Sequence, residues 1–220
     1  MISHHIHAAL ARERRNTLLA RAETVRRARW ARSASGGQAV LRDGSLVLIR
    51  QVRRADAPLL AEGFERLSSR SRWMRFMMAK PKLSAAELRY LTDIDHHDHE
   101  ALGALDHADG RGVGIARYVR DADDPRAAEI AVTVIDDWHG RGLGTALLAR
   151  LSHRARQEGI RRFTALTAAD NLAIAGLLAK MGADVIHREA GTLRYELDLA
   201  PAGEDRRGAV RPALACPEPC

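Results

Sequence analysis

The sequence predicts an α/β domain in which one mixed sheet carries helices on both faces. Three observations lead there. Strand and helix patterns alternate over residues 38–200 in the order β, α, α, β, β, β, α, β, α, β, β. A β-branched run, Val132-Thr133-Val134-Ile135, stops at Asp136-Asp137 and passes through a Gly-Arg-Gly-x-Gly loop straight into a helix. Helix starts carry capping residues, Ser84 at one and Asp170 or Asn171 at another.

The elements follow in order. Residues 46–50 are a short apolar strand. Asp56 with Pro58 opens a helix reaching about Leu67, because proline is tolerated in a first turn. Ser84-Ala85-Ala86-Glu87 is a capping box that starts a second helix, through about Leu91. Strands at 101–105 and 113–119 are joined by the turn-rich Asp106-His107-Ala108-Asp109-Gly110, and a further strand covers 127–135. After the glycine loop, Leu143, Leu147, Leu151 and Ala155 form an i, i+4, i+8 stripe, and Gly159 stops that helix. Residues 163–167 are a strand, and the helix capped at 170–171 ends at Gly182. Leu193, Tyr195, Leu197 and Leu199 alternate with Arg194, Glu196 and Asp198, the pattern of a half-exposed strand.

The flanks differ from this body. Residues 1–32 hold eight arginines against two glutamates, six of the chain's net +7. They favour helix, and Ser33-Ala34-Ser35-Gly36-Gly37 reads as a linker, so 1–37 is expected to be a basic helical arm. Residues 201–220 are proline-rich and aperiodic, and are expected to be a disordered tail. The only cysteines, Cys216 and Cys220, lie in that tail and make no disulfide framework. No apolar run approaches a membrane span and no secretory signal is visible, so a cytoplasmic protein is expected. The arm has Trp30 as its sole aromatic, which limits it to weak, non-specific contact with an acidic partner.

The glycine loop carries the chemistry. A helix N-terminus presents unbonded N–H groups and a positive dipole, and glycines let phosphates approach the backbone. Gly140, Arg141, Gly142, Leu143, Gly144 and Thr145 are the expected N–H donors to a pyrophosphate, and Arg141 adds a charge. There is no G-x-x-x-x-G-K-[ST], and Leu147 stands where a dinucleotide loop needs its third glycine. His139-Gly140-Arg141-Gly142-Leu143-Gly144 instead resembles the [Q/R]-x-x-G-x-G/A acetyl-CoA signature of the GNAT superfamily of N-acetyltransferases, with His139 in place of Gln or Arg. The order of elements is similar to that fold, a mostly antiparallel mixed sheet, over about 160 residues.

Three more segments resemble the bacterial protein-lysine acetyltransferase branch of that superfamily: residues 41–50, the run Leu67-Ser68-Ser69-Arg70-Ser71-Arg72-Trp73-Met74-Arg75-Phe76, and Ala128-Glu129-Ile130-Ala131-Val132. The resemblance implies transfer of an acetyl group from acetyl-CoA, as cosubstrate, to a primary amine such as a protein lysine. It implies Glu129 as general base. A lysine of ordinary pKa is neutral in only about one molecule in 2,500 at pH 7, a cost of roughly 4.6 kcal/mol, which a base in the site partly recovers. Burial of Glu129 or a water relay is then expected; a plain surface glutamate is the other reading. The resemblance also implies that Val132 and Val134 offer backbone to the pantetheine arm and that Asn171 touches it, unless Asn171 is simply a helix cap. Many family members place a tyrosine, the acid for the leaving thiolate, seven residues beyond that asparagine; here it is Leu178.

Other residues are open to bland readings. Trp73, Phe76 and Met77 have helical spacing and are expected in the core, while Arg72 and Arg75 are solvated or greet an acidic substrate surface. His96, His97 and His99 sit among acidic residues in what reads as a polar turn, and no metal site is assigned. A small-molecule amine acceptor and a non-catalytic CoA-binding module are the competing functions.

Overall fold

The computed structural model describes residues 37–199. The basic arm and the proline-rich tail therefore lie outside the described residues, apart from Gly37. The described chain runs β1 (Gly37–Val40), β2 (Leu46–Gln51), α1 (Ala57–Glu65), α2 (Ser69–Phe76), α3 (Ala85–Thr92), β3 (His99–Asp106), β4 (Gly112–Arg120), β5 (Ala127–Val134), α4 (Leu143–Gln157), β6 (Arg162–Ala168), α5 (Leu172–Lys180), β7 (Asp184–Glu189) and β8 (Thr192–Asp198). The eight strands form one sheet in the order β1-β2-β3-β4-β5-β6-β8-β7. Every pairing is antiparallel except β5 with β6.

Two elements depart from the sequence expectations. Gly37, assigned to the linker, opens β1. This strand buries little and is held by its ladder to β2 and by Arg150 of α4, which donates to the Gly37 carbonyl at 2.5 Å and the Gln38 carbonyl at 2.8 Å. Residues 69–76 form a third helix before β3, where two helices were expected. It escapes a periodicity reading because none of its residues is buried; its signal is the cap, Ser68 accepting from the Ser71 N–H at 3.1 Å. Met77 then takes a left-handed φ of 55°, so the helix ends before the expected apolar stripe does. Phe76 alone of that stripe packs inward, edge-on to Phe64 at 5.7 Å, while Trp73 and Met77 are exposed.

The β4 ladder shows which face is which. A Cβ on Gly114 would meet Leu147 and Leu143 of α4 at 3.1 and 3.2 Å, so Gly114, Ala116 and Tyr118 face α4. Ile115 and Arg117 alternate onto the other face, where they line a cavity closed by α1 to α3. Cross-strand partners share a face. Val134, Val132 and Ile130 of β5 therefore follow Gly114, Ala116 and Tyr118 toward α4, and Thr133, Ala131 and Glu129 follow Ile115, Arg117 and Val119 toward the cavity side. The four leucines Leu143, Leu147, Leu148 and Leu151 of α4 are at most 1% exposed. Each contributes about 1.5–3 kcal/mol by burial, which fixes α4 against the sheet. No helix among the described residues is long and apolar enough to cross a membrane.

Candidate active site

The site begins where the sheet comes apart. β5 pairs with β6 only at Ala127, Ala128 and Glu129, yet β5 continues to Val134 and β6 to Ala168. Beyond Glu129 on one strand and Thr164 on the other, two backbone edges face each other without ladder bonds. Such a slot accepts an extended chain with amide groups. The side chains of Val132 and Val134 are half-buried on the α4 side, and their backbone borders the slot.

At the open end of the slot lies the glycine loop. Ile135 leaves β5, a 3₁₀ turn spans Asp136–Trp138, and Gly142 at φ 90° caps α4 without any side-chain bond. The first helical bond runs from the Ala146 N–H to the Gly142 carbonyl at 3.0 Å. The N–H groups of Leu143, Gly144 and Thr145 therefore precede the helical ladder and point out of its end. The first turn of α4 holds no acidic residue. Dipole, donors and missing cap together favour an anion.

The loop is braced from outside. The Arg141 guanidinium stacks over Trp138 at 4.8 Å and pairs with Asp43 at 3.2 Å, so its side chain braces the loop. Arg42, outside the glycine motif, bonds its N–H to the Arg141 carbonyl, and its Cγ would lie 3.3 Å from a Cβ at Gly142. It comes from the β1–β2 turn, one hundred residues earlier, so only the fold reveals it. His139 sits at the loop's start and donates from Nε2 to the Val134 carbonyl at 2.9 Å, tying the loop to the end of β5.

Asp136 ties α2 to the end of β5. It accepts from the Ser68 N–H at 2.9 Å, the Ser68 hydroxyl at 2.8 Å and the Ser71 hydroxyl at 2.8 Å. Desolvation pushes its carboxyl up, but these bonds outweigh that and leave it below the ordinary 3.8. The first turn of α2 is thereby anchored to the end of β5. Arg72 is spent on structure: it donates to the Glu65 carbonyl at 2.8 Å and the Pro81 carbonyl at 3.3 Å and lies over Phe64.

Glu129 sits at the last β5–β6 pairing, on the cavity-side face, and is exposed. The burial expected to strengthen it as a base is thus not found. Asn171 caps α5, accepting from the Ile174 N–H at 3.2 Å, so its carbonyl oxygen is engaged in the cap. Leu178 is 1% exposed in the core. The three histidines turn to different partners: His96 to Glu100 at 2.7 Å, His97 to Glu158, and His99 to Arg117 at 3.1 Å. Burial is the first cause that depresses His99, to about 4, and the Arg117 charge adds to it.

Comparison with known proteins agrees with this geometry. Residues 47–184 match the Acetyltransferase (GNAT) domain family. The chain is 32% identical over 161 residues to Acetyltransferase Pat of Mycolicibacterium smegmatis, which covers 73% of this chain and 48% of that protein, so the chain spans about half of that relative's length. It is 38% identical over 144 residues to Acetyltransferase PA5475 of Pseudomonas aeruginosa, covering 64% of this chain and 77% of that one. The crystal structure of the GNAT domain of S. lividans PAT superposes with a TM-score of 0.71 at 32% identity, over 74% of this chain and 96% of that one. With the parted strands, the uncapped helix and these matches together, the chain belongs to the GNAT acetyltransferase family.

Proposed function

We propose that this chain transfers an acetyl group from acetyl-CoA to the side-chain amine of a protein lysine, with Glu129 as general base acting through a water. The observation that carries the reading is that β5 and β6 part at Glu129. A chain lying in the slot with its phosphates at the N–H groups of Gly140 to Thr145 ends beside that carboxylate. Backbone of Val132 and Val134 would align the pantetheine amides, and Arg42 would add charge beside the pyrophosphate. Asn171, as the cap at the mouth of α5, borders the same end. The similarity to Acetyltransferase Pat and the LSxxSR-like run of α2 support a protein lysine over a free amine. A cytoplasmic setting, where acetyl-CoA is abundant, goes with this reading.

The chain's own residues then have separable tasks. Glu129 accepts the ammonium proton by way of water, freeing the amine lone pair for the thioester carbonyl. The C–N bond forms, the C–S bond breaks, the nitrogen's second proton passes through water to the departing sulfur, and that thiolate needs no dedicated acid, since a thiol pKa near 8.5 makes it a good leaving group. The core position of Leu178 is consistent with that.

Glu129→Gln keeps the shape and removes the basicity. With a lysine peptide and acetyl-CoA, kcat should fall by about 10²–10⁴ while acetyl-CoA affinity holds, and higher pH should restore part of the rate. Wild-type turnover at pH 7 would remove Glu129 from the mechanism. Turnover of small amines with no lysine peptide acetylated would return the acceptor to a small molecule.

A further inference from the structure

The cavity of about 110 Å³ between the sheet and α1 to α3 is almost wholly apolar, but three arginines reach its wall: Arg50, Arg75 and Arg117. They are treated differently by the fold. Arg50 meets Asp56 in a two-pronged pair at 2.7 and 3.1 Å, the ordinary way to bury a guanidinium. Arg117 is as deeply buried, 6% exposed, yet its bonds go to neutral groups, the His99 ring at 3.1 Å and the Leu91 carbonyl at 3.0 Å. Arg75, half-buried on α2, rests on the Phe76 ring at 5.0 Å. Neither Arg75 nor Arg117 forms an ion pair with a carboxylate among the described residues. Both line the same cavity; burial weakens the hold of each on its proton, and the Arg75 charge adds to that effect at Arg117.

A buried guanidinium held only by neutral groups, as Arg117 is, is costly to maintain, and an anion supplied from outside between it and Arg75 lowers that cost. Arg117 pairs across the ladder with Ala131, two residues from Glu129 and on its face. Glu129 itself acts electrostatically on Arg75. An acceptor entering here therefore meets one carboxylate and, deeper, two guanidinium groups. That arrangement complements a molecule bearing an amine and a carboxylate a short distance apart.

From this we infer that the acceptor carries a carboxylate, which Arg75 and Arg117 bind while its amine lies at Glu129. The inference rests on the acetyl-transfer reading above and narrows it: the preferred lysine has an acidic neighbour in its segment. The same chemistry in a free amino acid would engage the same pair of arginines.

The test compares acceptors in matched pairs on the full chain: a lysine peptide flanked by glutamate against the same peptide with glutamine, and 6-aminohexanoate against hexylamine. In the wild type the carboxylate member of at least one pair should have a kcat/KM larger by about tenfold or more. In Arg75→Gln and Arg117→Met, with folding checked by thermal melting, that ratio should collapse toward one. A purely structural role for the arginines would lower both members of a pair together and leave the ratio intact, which would overturn the inference. Ratios of one in both wild-type pairs would overturn it without recourse to any variant, so an unstable Arg117→Met leaves it falsifiable. Preference within the small pair with neither peptide acetylated would sustain the carboxylate site while rejecting the protein-lysine acceptor.

Discussion

Behind the sheet, α4 buries six of its fifteen residues; in front of it, α2 buries none of its eight. The same contrast holds for the chemistry each face offers. On the α4 side the useful groups are backbone: N–H donors at an uncapped helix end and the free edge of β5. On the α2 side, under the proposed reading, they are side chains: Arg75 and Arg117 at a cavity that packing leaves unfilled, and Glu129 on the same face of the sheet. A ligand whose diphosphate and amide chain never vary is well served by rigid backbone. Under the proposed reading, an acceptor is selected by side-chain charges, which differ from one sequence to another more readily than backbone does. Asp136 joins the two halves through Ser68 and Ser71.

The contrast predicts unequal responses to substitution. Leu147→Ala, at a position with no exposure, should lower unfolding free energy by about 2–5 kcal/mol. Arg70→Ala, on the exposed face of α2, should change it by less than about 0.5 kcal/mol. Denaturant unfolding of both variants measures this; equal losses would mean that α2 is as integral to the core as α4. Asp136→Ala cuts the link between the halves. It should cost about 1–2 kcal/mol, raise KM for the acceptor, and leave acetyl-CoA affinity within about twofold; a parallel loss of both affinities would show that the halves are not separable. The native bond network also makes this link acid-sensitive. Asp136 sits below its ordinary 3.8, so its contribution is complete above that pH and disappears as pH falls through the folded value.

His99 gives the smallest effect. It is depressed to about 4 from 6.5 and is therefore neutral in the fold at pH 7, accepting from Arg117. Between pH 6.5 and about 4 the unfolded chain binds a proton there that the folded chain does not, so this contribution to stability declines as pH drops. Melting temperatures at pH 7 and pH 5 should diverge less in His99→Gln than in the wild type. The same divergence in both would detach His99 from the acid response.

How legible each half was in the sequence follows from the same physics. The α4 stripe of Leu143, Leu147, Leu151 and Ala155 and the β8 alternation of Leu193, Tyr195 and Leu197 are buried where their periods place them, because burial is what writes periodicity. The Ser84 capping box forms as written, with the Ser84 N–H on Glu87 at 2.8 Å. Helix α2 and strand β1 were not legible: one buries nothing and the other depends on Arg150, which lies more than one hundred residues away. The loop of the site was readable, since its glycines and helix start are contiguous. The parting of β5 from β6, the place of Arg42 at Gly142 and the lack, among the described residues, of a carboxylate bonded to Arg75 or Arg117 are long-range facts, and no spacing in the chain encodes them.

The division of labour is tested most directly by titrating acetyl-CoA calorimetrically into Gly144→Asp and Arg75→Gln side by side. Gly144 lies in the first turn of α4, where an added side chain faces Leu177 at 3.2 Å and an added charge opposes a phosphate. Gly144→Asp should therefore lose most of its acetyl-CoA affinity while its circular dichroism stays folded. Arg75→Gln, on the acceptor face, should bind acetyl-CoA as the wild type does. Undiminished affinity in a folded Gly144→Asp, or an equal loss in Arg75→Gln, would contradict the account.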